Sequence, residues 1–245
     1  VSMAACKAGA AAKGVHLFEH IGELGGNKNF ILPVPMVLML EGGKHADNSS
    51  DLQEFMIMPH AAKSFKEAKR IGSEIYQSIG KLLKKGGFST NVGYEGAYGP
   101  SLGSNEKVFH VIVDGIVAAG YKPGEEVLIA IDGAASEFFE KGKYHLRVDG
   151  RTLDSKGMVD FYADLVNKYP IASIEDGLAE DDWEGWVLLM KKLGVKTQIV
   201  GDDLTVTNVK RLQKAIETRA INSVLIKLNQ IGTVTETINA VNLAK

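Results

Sequence analysis

Four polar residues in the second half of the chain each stand at or near the end of an apolar run: Asp132 in EVLIAID, Glu175 in PIASIED, Asp202 in TQIVGDD and Lys227 in NSVLIKLN. They are 43, 27 and 25 positions apart. If the runs are neighbouring strands, the three carboxylates converge. Three such groups cannot all stay ionised together without a cation. Hard carboxylate oxygens suit Mg²⁺, with water and substrate completing an octahedron. Each acid also has a simpler reading as the N-cap of the helix that follows, a position that favours Asp. Lys227 has two readings as well. It is either a strand-end lysine that keeps its ammonium in water, or a general base whose pKa is lowered by burial and nearby cations.

A second set lies upstream, two of its members on glycine-containing segments. His45 follows a Gly-Gly turn in EGGKHAD. That suits a loop brought close to a ligand, although an ordinary turn with a surface histidine is the simpler reading. Glu54 lies in DLQEFMIMP, and Glu95 in NVGYEGAYGP. The latter segment reads as a mobile lid or as a solvated loop with an exposed carboxylate. DDWEGW (181–186) reads as the N-capped start of an amphipathic helix, with Trp183 and Trp186 assigned to packing.

The elements that must position these residues follow a recurring order. Residues 1–20 read as an Ala-rich helix ending near Gly14 and a short second turn, and 21–30 as loop. LPVPMVLML and QEFMIMP read as strands, with Pro33 and Pro35 placing the first at an edge or a strand start. Phe65, Ala68, Ile71, Ile75, Ile79 and Leu82–Leu83 have helical spacing, closed by Lys84, Lys85 and Gly86–Gly87. A second helix ends at Gly120. From 126 onward strands (126–132, 170–176, 197–203, 222–229) alternate with helices, with a small hairpin around KYHLRVDGR. Such alternation implies right-handed βαβ units and a parallel sheet. A doubly wound sheet would alternate in the same way. A polar residue at four successive strand ends favours a barrel, whose site collects residues from many strands. There is no GxGxxG or P-loop fingerprint.

The 245 residues, 45% hydrophobic and 24% charged, suit one large α/β domain or two small ones. The net charge of −2 and the lack of a basic stripe exclude nucleic acid as the expected partner. Cys6 is the only cysteine, so no internal disulfide or cysteine zinc cluster is possible, which fits a cytoplasmic location. The longest nearly apolar run, Phe30 to Leu40, contains two prolines and is far shorter than the roughly 20 residues of a membrane span. The chain begins at Val1 and stops at Lys245, each inside a helical pattern, and so reads as cut at both ends.

The blocks LPVPM, EGGKHAD, DLQEFMIMP, IGSEIY, ASEFF, SIEDGLAEDDWEGW, VGDDLTVTN and IKLNQIGT together resemble enolase of the bacterial type, over essentially the whole chain. The resemblance implies an α/β fold. Residues 1–30 would be the end of an amino-terminal capping domain and its linker. Residues 31–245 would be an incomplete enolase-type TIM barrel, about the first six units. It implies a phosphopyruvate hydratase, a lyase of glycolysis and gluconeogenesis. Such an enzyme carries out the reversible Mg²⁺-dependent dehydration of 2-phosphoglycerate to phosphoenolpyruvate and is a homodimer or larger when full length. Members of the family are cytoplasmic and can also appear at the cell surface or be secreted.

Residue by residue, the resemblance makes Asp132, Glu175 and Asp202 the Mg²⁺ ligands and Lys227 the base. Glu95, assisted by Glu54, would help the hydroxyl leave. His45, Glu54, Glu175 and Asp202 would contact the substrate. The family's second catalytic lysine and its His-Arg-Ser segment have no counterpart here, so the chain alone is expected to be inactive and poorly soluble. Three positions depart from the family pattern: Glu41 stands where Asn is usual, Tyr94 where Asp precedes the acid, and Ala97 where a second Gly follows it. These departures leave a second reading, a non-catalytic enolase-like binding protein.

Overall fold

The computed structural model describes residues 1–245. Helices α1 (Ser2–Lys13) and α2 (Leu17–Leu24) open the chain, with Gly14 turning between them at φ 67°. Strands β1 (Val37–Glu41) and β2 (Glu54–Met58) follow, then helices α3 (Phe65–Lys85) and α4 (Asn105–Ala118). Strand β3 (Leu128–Asp132) leads into a small three-stranded sheet of β4 (Phe139–Glu140), β5 (Lys143–Leu146) and β6 (Arg151–Leu153). The remainder alternates: α5 (Ser155–Lys168), β7 (Ile171–Glu175), α6 (Trp183–Leu193), β8 (Gln198–Gly201), α7 (Val209–Thr218), β9 (Ser223–Val224), a single turn α8 (Leu228–Ile231) and α9 (Val234–Ala244).

The main sheet runs β1-β2-β3-β7-β8-β9. The pairs β1–β2 and β2–β3 are antiparallel, and the three pairs from β3 to β9 are parallel. The sheet does not close, so β1 and β9 are its end strands. Six strands with helical crossovers over the last four form the arc of a barrel that closes with eight. The prolines sit where their missing N–H groups cost nothing, since β1 begins two residues after Pro35.

The longer helices bury one apolar face, while α1 packs on α2 and α9. In α3 the buried residues Ala68, Ile71, Ile75, Ile79 and Leu83 recur every three or four positions, and the Ser64 hydroxyl caps the start by accepting the Glu67 N–H. Removing an isoleucine of this kind from water contributes about 1.5–3 kcal/mol. Trp186 is fully buried and donates its indole N–H to the Ala179 carbonyl at 3.0 Å. Trp183 lies beneath Arg211 and Lys214. Both tryptophans are packing residues, and Asp182 caps their helix. No helix is long and apolar enough to cross a membrane.

Two expected spans change. The segment 21–30 is helical as far as Leu24, because His16 and Glu19 form a reciprocal capping box that starts α2 later and carries it further. The expected strand 222–229 pairs only at Ser223 and Val224. It has no partner on its far side, and the Lys227 N–H turns away to the Thr207 hydroxyl at 2.8 Å, after which the chain coils into α8.

A buried amide ties the loop after β1 to the rest of the fold. Asn105, fully buried at the start of α4, accepts from the Ser50 hydroxyl and the Asp51 N–H, each at 2.8 Å. It donates to the Asp51 and Asp149 carboxylates, also at 2.8 Å. Replacing it by Ala strands several polar groups at once. We expect Asn105→Ala to lower unfolding free energy by about 2–4 kcal/mol in urea titration. A loss within about 0.5 kcal/mol would show that water takes over the amide's bonds.

Candidate active site

The sheet register builds most of the site. Glu41 pairs with Glu54, Glu54 with Asp132, and Asp132 with Glu175. Register partners on adjacent strands point to the same face, and adjacent strands lie about 4.8 Å apart. Four carboxylates therefore form a row across one end of four neighbouring strands. Asp202 continues it one residue past β8, and Lys227 three residues past β9. Asp132, Glu175 and Asp202 are all buried, as are Glu41 and Asp176.

Side-chain capping of a helix does not explain the three expected ligands. The helices after them are capped by Asp154, Asp182 and Asn208. Asp132 does accept the Ala134 N–H at 2.8 Å in a local turn, and its other oxygen accepts from the Gln53 amide at 3.3 Å. Asp202 takes the Gln230 amide at 2.7 Å on one oxygen and the Lys227 ammonium on the other. Thr207 braces this corner. Its hydroxyl accepts the Lys227 N–H and donates to the Gln230 side chain at 3.3 Å.

Asp176 was not evident from the sequence, because the residue after a strand-end acid ordinarily points to the opposite face. Its backbone has φ 40°, which turns its carboxylate back toward β8. There it accepts the N–H groups of Asp202 at 3.0 Å and Asp203 at 2.7 Å. Only the two consecutive acids followed by Gly177 could have hinted at this. Gln53 and Gln230 carry no such signal.

Two groups of three donors bring their ligand atoms within 4.8 Å of one another: Asp176–Asp202–Asp203, and His45–Glu54–Glu95. Asp132 and Glu175 are brought together as register partners, while the tightest contacts of Asp202 are with Asp176, Lys227 and Gln230. The second group unites His45 and Glu95, from glycine-containing turns, with Glu54 at the start of β2. His45 Nδ1 is 3.5 Å from a Glu54 oxygen, and the His45 carbonyl accepts the Tyr94 N–H at 2.9 Å. Tyr94 does not crowd Glu95. Its side chain is 86% exposed and lies beside the His45 ring at 5.9 Å.

Burial and mutual repulsion dominate the electrostatics. Burial first, then the charges of Glu175, Asp176 and Glu54, raise the Asp132 pKa well above its ordinary value. Burial and the charges of Asp176, Asp202 and Glu54 push Glu175 to about 8. Burial also raises Asp176 to about 7, against two backbone N–H groups that pull it down. Glu54 is pushed to about 7 by burial and by Glu95, partly offset by Lys227. Of the two readings of Lys227, the structure matches the strand-end lysine that keeps its ammonium in water rather than the buried base of lowered pKa. It is 45% exposed, because the chain has left the sheet before reaching it. Burial pulls its pKa down, but the hydrogen bond and charge of Asp202, with Glu175 and Asp132, outweigh that and hold it above a free lysine.

A row of buried carboxylates with a single lysine against it is short of positive charge. All its donors are hard oxygens, so the residues fit a hard divalent cation such as Mg²⁺. The family described as enolase, C-terminal TIM barrel domain, matches residues 29–245.

Asp132, Glu175, Asp176 and Glu54 bind protons more tightly folded than unfolded, where such groups titrate near 4. Their contribution to stability is full below that pH and is lost as pH rises through the folded values. Carboxylates held low by surface partners, such as Glu74 and Glu106, titrate below this window. With divalent ions chelated, the melting temperature is expected to fall from about pH 5 to about pH 8. A melting temperature that climbs across that window in calorimetry would contradict this charge arrangement.

Proposed function

The chain belongs to the enolase family, and on that premise we propose that it carries the metal and acid–base residues of a phosphopyruvate hydratase, which interconverts 2-phosphoglycerate and phosphoenolpyruvate. The observation that carries this reading is the single row of carboxylates in register across β1, β2, β3 and β7, continued by Asp202 and Lys227. It joins a cation-binding half to a proton-handling half at one end of one sheet.

In this reading Asp132, Glu175 and Asp202 hold Mg²⁺. When bound, the ion supplies Lewis-acid stabilisation of negative charge on the substrate's carboxylate. His45, Glu54, Glu175 and Asp202 line the substrate. Lys227 takes the proton from the carbon beside that carboxylate with its neutral amine, which requires it to give up its contact with Asp202. Glu95 donates a proton to the departing hydroxyl. Glu54 supports it, since a carboxyl with a pKa of about 7 is protonated in good part at neutral pH and can pass a proton on. The Glu54 and Glu95 oxygens and a His45 nitrogen all lie within 4.8 Å, close enough for such a relay. The exposed Tyr94 leaves this cluster free, which favours the catalytic reading over a purely binding one.

The division of labour is testable in the intact protein by NMR of 2-phosphoglycerate in heavy water with Mg²⁺. Lys227→Ala is expected to abolish exchange of the C2 proton. Glu95→Gln is expected to lose net dehydration by about 10²-fold or more while retaining much of that exchange. Parent-rate C2 exchange in Lys227→Ala would remove the lysine from the role of base.

A further inference from the structure

Glu41 is 1% exposed, yet none of the roles above uses it. It ends β1, opposite Glu54, and its side chain reaches from the end of the row into the turn that bears Glu95. One carboxylate oxygen accepts the N–H of Glu95 at 3.0 Å and the N–H of Ala97 at 2.9 Å. Two backbone donors converging on one oxygen make a small anion-binding concavity of the kind that short turns form. The same turn is closed by the Gly93 N–H to the Ala97 carbonyl at 2.8 Å, with Gly96 at φ 94°.

A second observation shows how closely the parts fit. A side-chain carbon at Gly93 would overlap the other Glu41 oxygen and lie 2.5 Å from the His45 carbonyl. Only glycine lets the turn settle over the carboxylate. That second oxygen is buried and has no hydrogen-bond donor. The burial of an incompletely paired carboxyl costs free energy, and here the return is a fixed position for the turn.

We propose that Glu41 is a positioning residue for Glu95: it grips the 93–97 turn by its backbone and so sets where the Glu95 carboxyl stands against Glu54 and His45. The inference rests on the reading of Glu95 as the acid only for its catalytic consequence, not for the grip itself. The three departures from the family pattern, Glu41, Tyr94 and Ala97, all fall at this contact. The buried carboxylate beside the acid comes from the strand at 41 rather than from the loop at 94, and Ala97 is 1% exposed with its N–H facing that carboxylate.

Amide hydrogen exchange on this chain tests the grip. In Glu41→Ala the amides of Glu95 and Ala97 are expected to exchange about ten- to a hundredfold faster, with those of α3 unchanged. Glu41→Gln keeps an acceptor oxygen and should accelerate them by less than about tenfold. If Glu41→Ala does not fold, Glu41→Asn answers the same question: its head is one methylene too short to reach both N–H groups, so the same acceleration as for Ala is expected. Unchanged exchange at Glu95 and Ala97, or equal acceleration throughout α3, would overturn the proposal. In the intact protein, Glu41→Ala should lower the rate of dehydration while leaving C2-proton exchange largely intact. Loosened amides with unchanged dehydration would overturn the acid role of Glu95 and leave the grip standing.

Discussion

Like charges held at one end of a sheet are the constraint on which the rest of this structure depends. Glu41, Glu54, Asp132 and Glu175 are register partners, so backbone pairing alone forces them to one face at strand spacing. Repulsion in a buried row is relieved only by protons, by hydrogen-bond donors or by cations. The chain uses all three. Protons are held by Glu54, Glu175 and Asp176, whose pKa values are about 7 to 8. Backbone N–H groups are aimed at Glu41, Asp132 and Asp176. Lys227 meets Asp202 from the far end. The hard oxygens at the centre fit a divalent ion such as Mg²⁺.

The two halves of the site are held by different means. The central acids stand on strands whose backbones pair on both sides and whose apolar neighbours Ile131, Ile174 and Ile199 are fully buried. They are fixed by the sheet itself. His45 and Glu95 stand on turns with no sheet of their own, closed by their own backbone bonds and joined to each other by one, from the Tyr94 N–H to the His45 carbonyl. Asn105 anchors the loop that carries His45 further along, at Ser50 and Asp51, and Glu41 holds the turn that carries Glu95. The strand residues are thus held by many backbone pairs and the turn residues by few.

The central half was legible in the sequence because strand periodicity converts directly into position. An acid that closes an apolar run must sit at a strand end, and three such runs in series predict their neighbours. The six-strand arc, the helical faces and the packing role of both tryptophans follow from the same periodicities. Legibility failed where local pattern lost to long-range bonds. The apolar run around Lys227 looks like a strand, but an end strand gains only one partner, and the hydroxyl of Thr207 outcompetes it for the Lys227 N–H. Asp176 was hidden by a positive φ, and Glu41 by a contact between residues 54 positions apart.

Calorimetric titration of Mg²⁺ tests the central claim most directly, and it requires no turnover. If the buried carboxylate row is the cation site, the chain binds Mg²⁺ at one dominant site. Asp132→Asn, Glu175→Gln and Asp202→Asn should then each weaken that binding by about tenfold or more, while Asp154→Asn, at a helix cap outside the site, leaves it unchanged. Mg²⁺ affinity equal to that of the parent in all three site variants would contradict the account, and would return these carboxylates to the status of buried acids held neutral by protons alone.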